Sequence, residues 1–138
     1  MDGDIKHIKV NSSEIDYTAA GDYSVSISLT NSFGDTVNYD LPVHIIKTTY
    51  RGLEIRLKEI LIYIKSGTEF NPADYVMQVE LAQAGGLIPR EDWDIDIQSN
   101  VDTSKAGVYE VKYLIKKEKD AVYGNISGIA WLTVIVTD

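Results

Sequence analysis

The chain has 138 residues, no cysteine, 44% apolar and 25% charged residues, and a formal charge of −8. The missing thiols exclude cysteine nucleophiles, CxxC redox chemistry and thiolate zinc sites. The acidic balance makes nucleic acid and anionic membranes poor partners, and no apolar run approaches the roughly 18 residues of a membrane span. The composition is that of a folded chain, and the length falls between one β-sandwich module of roughly 100 residues and two. Met1-Asp2-Gly3-Asp4 is acidic where a secretory signal would be basic and then apolar, so no signal peptide is read.

Alternation with a period of two dominates the chain. Tyr23, Val25, Ile27 and Leu29 alternate with serines and predict a half-buried strand. Residues 37–46 predict the next, with Tyr39, Leu41, Val43 and Ile45 on one face, and Asn31-Ser32-Phe33-Gly34-Asp35 turns the pair into a hairpin. Pro42 lacks an N–H, so it belongs where that group would face away from a partner, or at a bulge. Residues 53–63 carry a helical moment that their β-branched content opposes. They are predicted as coil leading into a strand, 59–64, that ends at Ser66-Gly67. Asn71-Pro72-Ala73-Asp74-Tyr75 predicts a short helical turn with Asn71 as its cap. Residues 76–81 predict another strand, and 93–97 a further one with Trp93, Ile95 and Ile97 inward. Residues 108–116 and 129–136 predict a long hairpin joined by a polar connection, 117–128.

The chain repeats itself. Ile15-Asp16-Tyr17-Thr18-Ala19-Ala20-Gly21-Asp22-Tyr23-Ser24-Val25 aligns without gaps to Val101-Asp102-Thr103-Ser104-Lys105-Ala106-Gly107-Val108-Tyr109-Glu110-Val111, 86 positions later, with five of eleven residues identical. Leu41, Val43 and Ile45 match Leu132, Val134 and Val136 at an offset of 91. The spacing is that of a module, too long for a solenoid. The repeated residues predict a structural corner between sheets. Asp16 and Asp102 cap a turn through the following Thr18 or Ser104. Gly21 and Gly107 are expected to supply a positive φ. Tyr23 and Tyr109 lay a ring over the core edge.

Residues 101–113, VDTSKAGVYEVKY, resemble the signature of bacterial Ig-like domains, the modules strung along surface proteins of Gram-positive bacteria. Residues 62–72, with their Gly and Phe-Asn-Pro step, resemble the family's entry strand, and 131–136 its final strand. The resemblance covers residues 55–138 as one complete module, and about Ile5–Ile46 as the back half of another. It departs from the family at the long charged stretch 116–125 and at 83–89. It implies an all-β, Ig-like antiparallel sandwich with a partial module at 1–47, a linker at 48–54 and a complete module at 55–138. Three strands in the partial module leave one apolar face open. That face would pack on the second module, pair with another chain, or belong to a longer protein. The last is favoured, with packing or self-association as its consequence.

Chemistry-bearing constellations are few. Glu91, Asp92, Asp94 and Asp96 form the densest acidic cluster, and hard oxygen ligands suit Ca²⁺. On a strand, however, Asp92, Asp94 and Asp96 spread over about 13 Å, and no metal site is assigned. His7 and His44 lack near-spaced partners, and no hydrolase, zincin, phosphate-loop or dinucleotide fingerprint occurs. Tyr50, Tyr63, Tyr75 and Tyr123 are left as exposed rings able to stack on sugars, and Lys116, Lys117 and Lys119 as a solvated hairpin tip. The expectation is a non-catalytic module without cofactor, serving as spacer, stalk or adhesion element on the bacterial cell surface. Its partners would be host or cell-wall protein or glycan. The alternative is a carbohydrate- or protein-binding sandwich that uses end loops 83–90 and 117–128.

Overall fold

The computed structural model describes residues 3–46, 52–82 and 86–138. The fold is all-β, with two short 3-10 turns. It divides into two compact units, residues 1–46 and 47–138. Tyr50 and most of the expected linker lie outside the described residues.

The first unit is a three-stranded antiparallel sheet in the order β1 (Ile5–Asn11), β2 (Gly21–Asn31), β3 (Thr36–Ile45). Asn31 builds the β2–β3 turn. Its buried side-chain oxygen accepts from the N–H groups of Phe33 (3.0 Å) and Asp35 (2.8 Å), and Gly34 takes φ 86°. Pro42 stands opposite Ser24 in an unbroken ladder on an edge strand, so its ring nitrogen faces the free edge. Register then sorts the side chains. One face carries Asp22–His44, Ser26–Asp40, Ser28–Asn38 and Thr30–Thr36, each pair hydrogen-bonded across the strands. The opposite face is apolar, with Tyr23–Val43, Val25–Leu41, Ile27–Tyr39 and Leu29–Val37. None of these side chains is fully buried, and on β1 Ile8 and Val10 are 64% and 61% exposed.

The second unit is a β-sandwich. One layer pairs β4 (Leu53–Leu57) with β6 (Val76–Leu81). The other has the order β5-β9-β8-β7, with β5 Leu61–Lys65, β7 Asp96–Ser99, β8 Gly107–Asp120 and β9 Gly124–Thr137. The pairs are antiparallel except β5–β9, which is parallel. Leu53, Ile55, Val76 and Val79 from the small layer meet Val111, Tyr113, Ile115, Leu132 and Val134 from the large one. Tyr113 is fully buried, and its hydroxyl donates to the Pro72 carbonyl at 2.7 Å. That bond ties the 3-10 turn Pro72–Tyr75, capped by Asn71 as expected, to β8. Burial pushes the Tyr113 phenol up to about 12.

Four local expectations are corrected. Residues 53–57 form a strand, not coil, because Leu53, Ile55 and Leu57 alternate with charged Glu54 and Arg56. Arg56 pairs across to Glu80 on β6. Consequently the end of the expected linker, Leu53 and Glu54, belongs to the sandwich. Residues 93–97 are not a continuous strand: a 3-10 turn, Arg90–Asp92, leads to Asp94 at φ 48°, and pairing starts only at Asp96. The connection after β8 is three residues, 121–123, because both strands run far beyond 116 and 129.

Gly128 marks a close approach between the layers. A Cβ there would lie 2.9 Å from both the Leu53 carbonyl oxygen and its Cβ. Backbone cannot give way as a side-chain tip can, so Gly128→Ala is expected to cost about 1–3 kcal/mol, measured from urea unfolding.

Candidate functional site

The repeated element links adjacent strands of one sheet, β1 to β2 and β7 to β8, so it is not the expected corner between sheets, but its local contacts recur in both copies. Asp16 Oδ1 accepts from the Thr18 N–H at 3.0 Å and its hydroxyl at 2.6 Å, and Asp102 Oδ1 does the same with Ser104 at 3.0 and 2.6 Å. Four residues past the turn, the Tyr23 hydroxyl donates to the Ala19 carbonyl at 3.0 Å, and that of Tyr109 to Lys105 at 2.8 Å. The glycines act differently from expectation. Neither Gly21 nor Gly107 has a positive φ. Each lies under the tyrosine ring, where a Cβ would stand 3.6 Å from Tyr23 and 3.4 Å from Tyr109. At those distances a Cβ would make ordinary van der Waals contact with the ring, so neither backbone conformation nor crowding demands glycine there.

A further cluster of polar side chains in the second unit forms where the segment 88–95 meets the β8–β9 tip. Lys117, whose side chain is only 8% exposed, reaches Asp94 Oδ2 at 2.9 Å and lies 5.8 Å from the centre of the Tyr123 ring. The Tyr123 hydroxyl donates to Asp92 at 3.2 Å. Asp94 holds the Lys117 ammonium above the ordinary lysine range. Burial, then the bond to Asp92, raises the Tyr123 phenol. Asp120 accepts from the N–H groups of Val122 (2.8 Å) and Tyr123 (2.9 Å), which hold its carboxyl below the usual range and cap the turn. Beside this cluster, the Arg90 guanidinium stacks 5.2 Å from Trp93, whose indole N–H donates to the Ile88 carbonyl at 2.8 Å. Trp93, Ile95, Ile97, Ala73 and Val76 line an open cleft of about 230 Å³. A second open groove of about 370 Å³ follows the hairpin past Lys116, Lys119 and Asn125.

These contacts decide the sequence candidates. Asp92, Asp94 and Asp96 take separate partners, Tyr123, Lys117 and Gln98. Among the described residues no three acidic, histidine or cysteine side chains gather as a metal site. His44 faces the polar side of its sheet and meets Asp22 at 2.7 Å. Tyr63 is exposed, whereas Tyr75 and Tyr123 are half-buried. Lys117 is not part of a solvated tip. It continues the inward series Val111, Tyr113, Ile115, a two-residue period that runs on in the sequence to position 117. Nothing in the sequence points to Arg90 except its three-residue spacing from Trp93. No helix among the described residues is long and apolar enough to cross a membrane. In comparison with known proteins, the chain matches no family model and no curated protein.

Both corners carry a stability signature. Tyr109→Phe removes one hydroxyl-to-carbonyl bond and is expected to cost about 1 kcal/mol, seen as a lower urea midpoint with an unchanged slope. The carboxyls of Asp16 and Asp102 are held below their ordinary value, chiefly by the Thr18 and Ser104 hydroxyls. A lowered folded-state pKa gives stability that is present above the unfolded value near 4 and lost as pH falls through the folded one. The double variant Asp16→Asn with Asp102→Asn keeps the turn acceptors and is expected to flatten the acid limb of stability against pH.

Proposed function

We propose that this chain is a non-catalytic, load-bearing repeat region of the Ig-like kind, a spacer or stalk from a bacterial cell-surface protein. The reading is carried by the β5–β9 pairing. β5 stands near the start of the second unit and β9 at its end, and they run parallel from Leu61–Thr133 to Lys65–Thr137. Tension entering ahead of β5 and leaving after β9 pulls the two strands along their length in opposite directions. The ladder bonds are therefore loaded together in shear and do not open one at a time. The Thr133 N–H donates to the Ile60 carbonyl at 2.9 Å, and the Ser66 N–H to the Thr137 carbonyl at 2.7 Å, closing both ends of the ladder. The repeated corner supports a modular, non-catalytic reading, since its polar contacts in both copies serve chain geometry. The surface setting, and host or cell-wall partners, follow from the resemblance of residues 101–113. The open clefts at the loop end support a ligand-binding reading less well, because binding pockets commonly enclose most of their ligand and both clefts lie open to solvent.

A single substitution separates mechanical from equilibrium strength. Ser66 is the second residue of a tight turn, with the Thr68 N–H donating to the Lys65 carbonyl at 3.0 Å and Gly67 at φ 85°. Proline is welcome at that position of a type II turn. Ser66→Pro thus removes one clamp bond without disturbing the turn. Equilibrium stability should fall by about 1 kcal/mol. In single-molecule pulling on the full chain, the peak unfolding force of the second unit should fall clearly. An unchanged force would sink the load-bearing reading.

A further inference from the structure

The two units are built on one plan and finished to different degrees. The β2–β3 pairs Tyr23–Val43 and Val25–Leu41 correspond one for one to the β8–β9 pairs Tyr109–Val134 and Val111–Leu132. β1 holds the place of β7: Lys9 faces Ser28 as Asp96 faces Leu114, an equivalence 87 positions apart. In the second unit this apolar face is shut by β4 and β6, and Val111, Leu132 and Val134 are 0% exposed. Their counterparts Val25, Leu41 and Val43 remain half-exposed. The far edge of β9 is taken by β5, whereas β3 is the last strand of its sheet. Residues 53–81 thus supply, in one run, a cover and an edge partner that no described residue of the first unit provides.

We infer that the apolar face of β1–β3 is a docking surface for an extended polypeptide segment patterned like residues 53–81. Two short strands of alternating Leu, Ile and Val would cover the face, and a third would pair along β3. The face suits this occupant on three counts. No charged side chain stands on the apolar pairs of β2 and β3, matching the neutral inner side of β4 and β6. Its polar reverse is already satisfied by cross-strand hydrogen bonds. Its size, from strand spacing and rise, is on the order of 450 Å². Two copies stacked face to face would cover the apolar side chains and leave the β3 edge unpaired. A segment that also hydrogen-bonds the β3 edge gains main-chain pairing that stacking cannot offer. The inference is independent of the load-bearing reading, which concerns the second unit alone.

The test adds the segment to the whole protein. A copy of residues 52–90 is joined directly ahead of Asp4, the junction set by the 87-position equivalence. Hydrogen exchange of the β2 and β3 amides is expected to slow at least about tenfold, and the fluorescence of an added apolar dye to fall. Ile55→Asp with Val79→Asp in the added copy alone should abolish both effects, while exchange in the original second unit stays as in the parent. Unchanged β2–β3 exchange in the fusion, with the second unit intact, would overturn the inference. So would a parent chain that sediments as a dimer with these amides already protected, since a second copy would then be the occupant. Recovery of the parent on phosphatidylcholine vesicles would overturn it in favour of lipid.

Discussion

A sheet with one apolar face is held in shape by whatever keeps water off that face. In the second unit the cover is two strands of five and six residues, β4 and β6. They bring the side chains of β8 and β9 to full burial, each worth about 1.5–3 kcal/mol relative to exposure. The other features of that unit depend on this contact. Gly128 exists to let the layers approach, Tyr113 to hang the 3-10 turn from the large sheet, and Lys117 to end the inward series with a charge that Asp94 neutralises. With no cysteine in the chain, packing does this without a crosslink.

Much of the fold is legible in the sequence because strand periodicity is short and strict. The strands around Val25, Leu41, Val111 and Val134 declare themselves by alternation, and the repeated Asp, Gly and Tyr announce two equivalent corners. The places where reading fails have physical reasons. Residues 53–57 alternate too, but Leu53, Leu57 and Ile60 also fall on one helical face, and the two periods compete over so short a run. Residues 93–97 alternate, yet Asp94 turns into the left-handed region and breaks the strand before its pairing starts. The β8–β9 tip is dense in lysine and acid, so its composition looks like loop. Register overrides composition there, and Lys117 is drawn inward where a tyrosine ring and a carboxylate can receive it.

The corner shows how a polar motif can be fixed without any chemistry to perform. An aspartate caps a turn, a glycine sits under a ring, and that ring's tyrosine hydroxyl returns to the carbonyl four residues earlier. Each part uses only neighbours in the chain, so the motif forms equally in a closed unit and in an open one. That locality explains why the corner recurs intact in the first unit, although the long-range cover does not. It also accounts for the polar side of the first sheet, whose cross-strand pairs need only the adjacent strand.

The parallel pairing of β5 with β9 also sets an order of events. The β8–β9 hairpin can close through a three-residue turn as soon as its two strands exist. β5 must wait for a partner that follows it by about seventy residues, because Leu61 lies opposite Thr133. Closing that span before other contacts form carries a large loop entropy, so the pairing comes late in folding. A chain emerging from its N-terminal end therefore holds β5 unpaired until β9 has followed it out. Until then β4–β6 and β7–β8 can pair, but the edge that β5 closes stays open.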